Sequence, residues 1–440
     1  MRRNVLLLQG PVGPFFRRFA GDLEKSGFRV FKINFNGGDR AFFGGRNAHD
    51  FTGTEKEWPD YLSAFIRRHD IGRIYLFGDC RYYHRVAREM ADELDVRTFV
   101  FEEGYIRPNF VTLEERGVNG NSSLIGREID YSSVQHVTGS ALKYPDRVFR
   151  NMVLFAMTYY LACAVMWRRY PHYTHHRPLN PLSEGGKWIL SFVRKIRYRL
   201  AERHLTRFFT ERHNKHYFLC PLQVHCDMQI SAHSPYTSVE HFIGEVVDSF
   251  ARHADKRDLL IFKHHPMDRG YTDYTTLMNK LIHEYNLEGR LYYVHDLELP
   301  ALLDGARGSV LINSTVGMSS LLHGAPVKTM GTAIYDREGL SARVPLDAFW
   351  KNPGKADKAA YAAFRDYLIY KNQINGSFYR KLKGSPYASG LEWQRDMLLD
   401  HSFLADRVDS TRPPALQVVG GRDVAAPLAQ QAEERGKLAS

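Results

Sequence analysis

Cysteine is scarce in this chain, with Cys80, Cys163, Cys220 and Cys226 the only four in 440 residues, and none stand in C-x-x-C spacing. That excludes a disulfide framework and points to reduced thiols. A zinc site drawn from Cys220, Cys226, His225 and His233 lacks the usual ligand spacing, so no metal is expected. No Walker motif occurs, and no G-x-G-x-x-G follows the first apolar run, which disfavours a P-loop NTPase or a dinucleotide oxidoreductase. RNP, KH and helix-turn-helix signatures are missing too, so nucleic acid is not an expected partner. The apolar run after Met1-Arg2-Arg3-Asn4 is too short for a signal peptide. No segment reaches the roughly 20 apolar residues that span a bilayer. A cytoplasmic protein is therefore expected.

What is present is an ordinary globular composition, 44% hydrophobic and 25% charged, with a net charge of +11. The length favours two domains over one. The charge calls for an anionic partner: a membrane surface or a phosphorylated substrate. Apolar runs at residues 5–8, 29–35, 74–77 and 98–101 alternate with amphipathic stretches at 15–25, 58–66 and 82–94. Residues 36–45 read as a Gly-rich loop. This alternation is what a parallel, doubly wound sheet requires.

The fourth of these runs leads into Phe101-Glu102-Glu103-Gly104-Tyr105-Ile106-Arg107-Pro108-Asn109. Two adjacent carboxylates stand where a strand should end, with a glycine for the turn and Arg107 close behind. In open α/β sheets ligands bind beyond the carboxyl ends of the strands. Adjacent like charges raise each other's pKa, as a general base or a tuned nucleophile needs. An acidic surface turn satisfied by Arg107 is the bland alternative.

Residues 152–167 are strongly apolar but short, and a Pro- and His-rich segment follows at 171–181. Residues 187–215 then read as one basic helix, with nine Lys or Arg against Glu202 and Glu211. Trp188, Phe192 and Phe208 interleave with Arg194, Lys195, Arg197 and Arg199, which describes a helix lying on an anionic bilayer surface. A core helix with a solvated basic face is the competing reading.

A second alternating unit begins at Tyr217. Strands are expected at 217–222, 259–262, 291–294, 309–312 and 327–330. Helices are expected at 238–253, where Ser238 is a plausible N-cap, and at 274–286, 297–303 and 318–323. Two strand ends carry groups suited to an anion. Lys263 and His265 offer cationic or hydrogen-bonding heads, with Pro266 stopping the strand. Ser314 and Thr315 open a helix whose free N–H groups and dipole attract phosphate. Residues 357–403 look helical, and 406–440 read as a disordered tail.

Five motifs occur in order: Gln9-Gly10-Pro11-Val12-Gly13-Pro14-Phe15-Phe16, the Glu-Glu-Gly-Tyr-x-Arg-Pro stretch, Pro221-Leu222-Gln223, Lys263-His264-His265-Pro266 and Asn313-Ser314-Thr315-Val316-Gly317. Together they closely resemble bacterial capsule polysaccharide biosynthesis and export proteins of the KpsS/LipB type, over residues 4–335. The resemblance implies an α/β fold of the GT-B class: two Rossmann-like domains facing a cleft, with a helical basic insertion between them. The expected divisions are an acceptor domain (1–150), the membrane-facing insertion (151–215), a CMP-sugar domain (216–345), C-terminal helices (346–405) and the tail.

The implied activity is retaining transfer of β-linked Kdo (3-deoxy-manno-octulosonic acid) from CMP-Kdo to a phosphatidylglycerol-type lipid, starting an oligo-Kdo linker. No cofactor is implied beyond the CMP-sugar donor substrate. The implied partners are that donor, the lipid, the cytoplasmic face of the inner membrane and other capsule assembly proteins. The family's acidic pair falls on Glu102 and Glu103, where relatives often have Glu-Asp-Gly. His265 and Pro266 carry its His-Pro motif, which with Lys263 is implied to hold the CMP phosphate, alongside Asn313, Ser314, Thr315, Gly317 and Gln223. Gln9, Gly10, Pro11 and Gly13, with Arg107 and Asn119, are the implied acceptor-side cleft loops. A non-catalytic assembly adaptor and a GT-B enzyme using another nucleotide sugar are the rival readings.

Overall fold

The computed structural model describes residues 3–131, 148–174 and 181–393, without the side chains of 181–183. These lie in one compact unit, Met1–Leu404; the expected tail and the helix anticipated around Met397 fall outside the described residues. The first lobe runs β1 (Asn4–Leu7), α1 (Phe15–Lys25), β2 (Arg29–Asn34), α2 (Gly37–Phe42), β3 (Ala48–Asp50), α3 (Trp58–Arg68), β4 (Ile71–Phe77), α4 (Tyr82–Glu93), β5 (Arg97–Glu103) and β6 (Phe110–Glu115). Two long helices follow, α5 (Val148–Val165) and α6 (Pro181–Glu202), and then a short turn of helix, α7 (Leu205–Arg207).

The second lobe is β7 (Tyr217–Pro221), α8 (Met228–His233), α9 (Val239–His253), β8 (Leu259–Lys263), α10 (Thr275–Tyr285), β9 (Leu291–Val294), α11 (Leu299–Gly305), β10 (Gly308–Leu311), α12 (Val316–Leu322) and β11 (Val327–Thr329). The chain ends its described course with α13 (Leu346–Phe349), α14 (Lys358–Lys371) and β12 (Gln373–Asn375). The second sheet is wholly parallel, in the order β11-β10-β7-β8-β9. The first has the order β12-β6-β5-β4-β1-β2-β3 and is parallel only from β5 to β3. Mixed α/β architecture with two Rossmann-like sheets is therefore as expected.

Three local expectations are corrected. Residues 37–42 of the Gly-rich loop form α2, because the Asn36 side chain accepts from the Asp39 N–H and caps it. The glycines are there for α5: a Cβ on Gly38 would run into the Tyr159 ring, and one on Gly37 into the Ala162 carbonyl. β5 does not stop at Phe101 but continues to Glu103, because β6 folds back on it antiparallel and pairs Glu103 with Val111. Finally, over its described residues, 346–393, the segment expected as C-terminal helices (346–405) is not a block of helices. After α14 the chain returns to the first lobe, where β12 pairs with β6 and Phe378, Leu391 and Trp393 enter the core beside Phe19 and Phe101. Each such buried side chain contributes on the order of 1.5–3 kcal/mol.

The basic segment is not one helix either; α6 ends at Glu202 and a break separates it from α7. Its inner face is polar. Arg194 donates to the carbonyls of Arg269 and Thr272, Tyr198 stacks flat on His295, and Glu202 accepts from the backbone N–H groups of His295 and Asp296. Its outer face is apolar and exposed, with Ile189, Phe192, Val193, Ile196 and Leu200 all about half or more exposed. The helix is inside-out.

α5 is similar. Tyr159 and Cys163 face inward, while Phe149, Leu154, Met157, Leu161 and Val165 face out. At 18 residues it is long and apolar enough by composition to cross a membrane, which corrects the expectation that no segment is; only 11% of it is buried.

Candidate active site

Strand alternation sets the geometry of the acidic pair. Phe99 and Phe101 point to the α1 face of the first sheet and join its aromatic core, while Val100 points to the α3–α4 face. Glu103 continues the first row and Glu102 the second. They are consequently not equivalent. Glu102 lies near Gly78 and Asp79, with its carboxylate accepting the Glu103 N–H at 2.9 Å. Glu103 lies on the side of the returning segment, where the Tyr379 hydroxyl donates to its Oε1 at 3.2 Å. Burial pushes Glu102 up to about 7, helped by the like charges of Glu103 and Asp79. Burial also raises Glu103, while Arg107 and the Tyr379 hydroxyl favour its ionised form.

Both carboxylates open into a cleft of about 330 Å³ between the C-terminal edges of the two sheets. The first lobe adds Asp79, Arg81, Arg107 and Asn119; the second adds Gln223, Asp227, His265, Asn313, Ser314 and Thr315. His265 is held by the Met267 N–H, which donates to Nδ1 at 3.2 Å and leaves the ring proton to Nε2. Burial lowers its pKa to about 4, so at neutral pH it is a neutral donor, not a cation. Gln223 donates to Asn313 Oδ1 at 3.1 Å, and Asn313 donates to the Gln229 carbonyl at 3.0 Å, tying the loops after β7 and β10 together. Beneath Asn119 a buried network holds the cleft wall: Tyr105 donates to Glu114 at 2.7 Å and accepts the Asn119 N–H at 2.6 Å.

A model of the family described as capsule polysaccharide biosynthesis protein matches residues 73–379, which take in both sides of this cleft. The chain belongs to that family. It is 39% identical over 377 residues to the capsule polysaccharide export protein KpsS of Escherichia coli, covering 86% of this chain and 97% of KpsS. It is also 39% identical to the capsule polysaccharide modification protein LipB of Neisseria meningitidis, covering 86% of this chain and 92% of LipB. Among solved structures it is similar to the β-Kdo 2,7 transferase of Thermosulfurimonas dismutans KpsC, at 15% identity and a TM-score of 0.36, covering 84% of this chain and all of that one. A UDP-GlcNAc 2-epimerase of Methanocaldococcus jannaschii aligns at 13% identity and a TM-score of 0.27, covering 83% of this chain and 99% of that one.

The fold gathers most of the expected site residues in the cleft: Glu102, Glu103, Arg107, Asn119, Gln223, His265, Asn313, Ser314 and Thr315. It leaves others out. Lys263, two residues before His265 on a strand end, lines a different cavity behind β8, and Pro266 goes with it. Gly317 is a packing residue whose missing side chain makes room for the Tyr335 ring. α12 has seven residues, starts at Val316 and has too few aligned peptides for a strong dipole.

Gln9, Gly10, Pro11 and Gly13 lie beside α5, away from the cleft. There Gly13, at φ +114°, sits against Phe155, and Gln9 donates to the Tyr159 hydroxyl at 3.1 Å. Two residues that line the cleft reach back to them: Arg81 donates to Gln9 Oε1 at 3.0 Å, and the Phe77 N–H donates to the Gln9 carbonyl at 3.0 Å. Asp79 and Arg81 follow the end of β4, and the apolar run closed by Phe77-Gly78-Asp79 is the sequence signal that marks them. Tyr379 carried no sequence signal. Asp79, Cys80 and His233 could group around a metal, but Asp79 is taken by the Val118 N–H, Asn121 and Arg88, and burial holds the Cys80 thiol protonated.

Proposed function

We propose that this chain is a glycosyltransferase that moves Kdo from CMP-Kdo to a phosphatidylglycerol-type lipid, with retention. The observation that carries it is one cleft in which two carboxylates of raised pKa and two arginines on the first lobe face a neutral histidine on the second. CMP leaves as a phosphate monoester, so charge develops on a phosphate oxygen. His265 Nε2–H and the hydroxyls of Ser314 and Thr315 can donate to it, and Arg107 and Arg81 supply the positive charge first expected of Lys263. Preorganised donors of this kind act strongly in a water-poor site.

Glu103 is the working carboxylate in this reading. Arg107 and Tyr379 favour its ionised form, as activation of the acceptor hydroxyl or attack on the anomeric carbon demands. Glu102, titrating near 7, is suited to carry the proton. The acceptor is reached at the cytoplasmic face of the inner membrane, on which the apolar outer faces of α5 and α6 rest as a peripheral surface flanked by Lys195 and Arg197. Capsule assembly proteins are its proposed partners there. Mass spectrometry of a reaction containing CMP-Kdo and phosphatidylglycerol tests the reading directly: a Kdo-lipid product is expected, and release of no CMP would leave a non-catalytic adaptor.

A further inference from the structure

The inner face of α6 covers a second cavity of about 840 Å³, outside the cleft. Its floor is Lys263 and Arg269, 8% and 6% exposed. Its walls are His295, Asp296 and Leu297, and its rim is Lys195 and Arg203. Five cations (Lys195, Arg199, Arg203, Lys263, Arg269) line it with three carboxylates (Glu202, Asp296, Glu298).

Two of those carboxylates are already engaged. Glu202 accepts from the backbone of His295 and Asp296 and from the His295 ring, and Asp296 takes both Arg199 and Arg269. Glu298 is exposed at the edge. Among the described residues, Lys263 Nζ meets only the His295 carbonyl, at a long 3.5 Å. Among the described residues the Arg269 guanidinium meets Asp296 through Nη2, and its Nε is buried without a partner. Burial and the neighbouring Arg269 both disfavour the charge on Lys263. Buried donors and cations left in this state are costly unless something anionic completes them.

We propose that this cavity binds a phosphoryl oxyanion, seated on Lys263 Nζ and the Arg269 guanidinium and screened at the rim by Lys195 and Arg203. The site opens beside the apolar outer stripe of α6, so the headgroup phosphate of an anionic lipid fits it, with its acyl chains continuing along Phe192 and Ile196. Phosphate recognition stands independently of the transferase reading; a lipid as its source rests on the membrane-facing placement proposed above.

The test is thermal unfolding of the full chain with four probes: dihexanoyl phosphatidylglycerol below its micellar concentration, dihexanoyl phosphatidylcholine, inorganic phosphate and CMP. The anionic lipid should raise Tm by a few degrees and the zwitterionic one by much less. Lys263→Met and Arg203→Gln should each at least halve that rise and leave the CMP response intact. Arg203 is at the exposed rim, so its variant keeps the test open if Lys263→Met fails to fold. Inorganic phosphate acting alone, sensitive to the same variants, would retain the site and make free phosphate its source. A lipid response undiminished in both variants, equal responses to the two lipids, or no response to either lipid or phosphate would overturn the proposal. Loss of the CMP response in Lys263→Met would overturn it too, by returning Lys263 to the donor site. A wild type indifferent to CMP but responsive to lipid would instead count against the donor reading alone.

Discussion

The Tyr379 hydroxyl donates to Glu103 Oε1 at 3.2 Å across 276 residues of sequence. It does so because β12 and the segment after it return from the second lobe to the edge of the first sheet. The bond lowers the pKa of a carboxyl that burial raises. Tyr379→Phe should therefore move the acid limb of the pH–rate profile to higher pH and cost several-fold in kcat at neutral pH. Glu103→Gln should abolish transfer while CMP affinity stays near wild type. If Glu102→Gln is the dead variant and Glu103→Gln keeps turnover, the roles within the pair are reversed.

Glu102 gives a stability prediction. Its folded pKa of about 7 lies above the ordinary 4.5, so between these values the folded state binds more protons than the unfolded one. Stability then falls as pH rises through that window, and is fully present below it. Glu114, buried under Tyr105 and raised to about 7, adds in the same direction. Glu102→Gln should be more stable than wild type at pH 8 by about 1–3 kcal/mol, a difference that closes by pH 4. Denaturant titrations at the two pH values measure this, and an equal offset at both would refute it.

The donor is separable from the chemistry. CMP should raise Tm and UDP should do so much less, because ligand binding stabilises by mass action. His265→Ala and Arg107→Gln should each weaken CMP binding by about tenfold, equivalent to about 1.4 kcal/mol. His265 is already neutral, with its pKa lowered to about 4, so CMP affinity should not change between pH 6 and 8 on its account. A step in affinity near pH 6.5, abolished by His265→Ala, would show an imidazolium at work.

Membrane association should follow the outer face of α6 more than its total charge. Arg194 and Arg199 are tied to the second lobe, through the Arg269 carbonyl and Asp296, so neutralising them loosens the helix itself. Co-sedimentation with phosphatidylglycerol vesicles should fall in Phe192→Ser/Ile196→Ser and in Lys195→Gln/Arg197→Gln. It should weaken with salt, as the Debye length shrinks from about 10 Å at 0.1 M to about 3 Å at 1 M. Equal binding to neutral vesicles, or no loss in either double variant, would remove the membrane role.

The two alternating units were readable from the chain alone, because continuous apolar runs such as Tyr217–Cys220 and Leu259–Phe262 are what a doubly buried parallel strand looks like. It also determined the residues that stop those strands, and so placed Glu102, Glu103, His265, Ser314 and Thr315 at the edge where ligands bind. Which of these neighbours share a cavity depends on how the two lobes pack. Residues two apart share a face only while the strand lasts; β8 ends at Lys263 and the chain turns at Pro266, so Lys263 and His265 enter different cavities. Nor could local pattern reveal β12, Tyr379 or the polar seat of α6. Those depend on contacts between segments far apart in sequence, and a three-residue strand or a helix with its apolar side outward shows the same composition whichever way it faces.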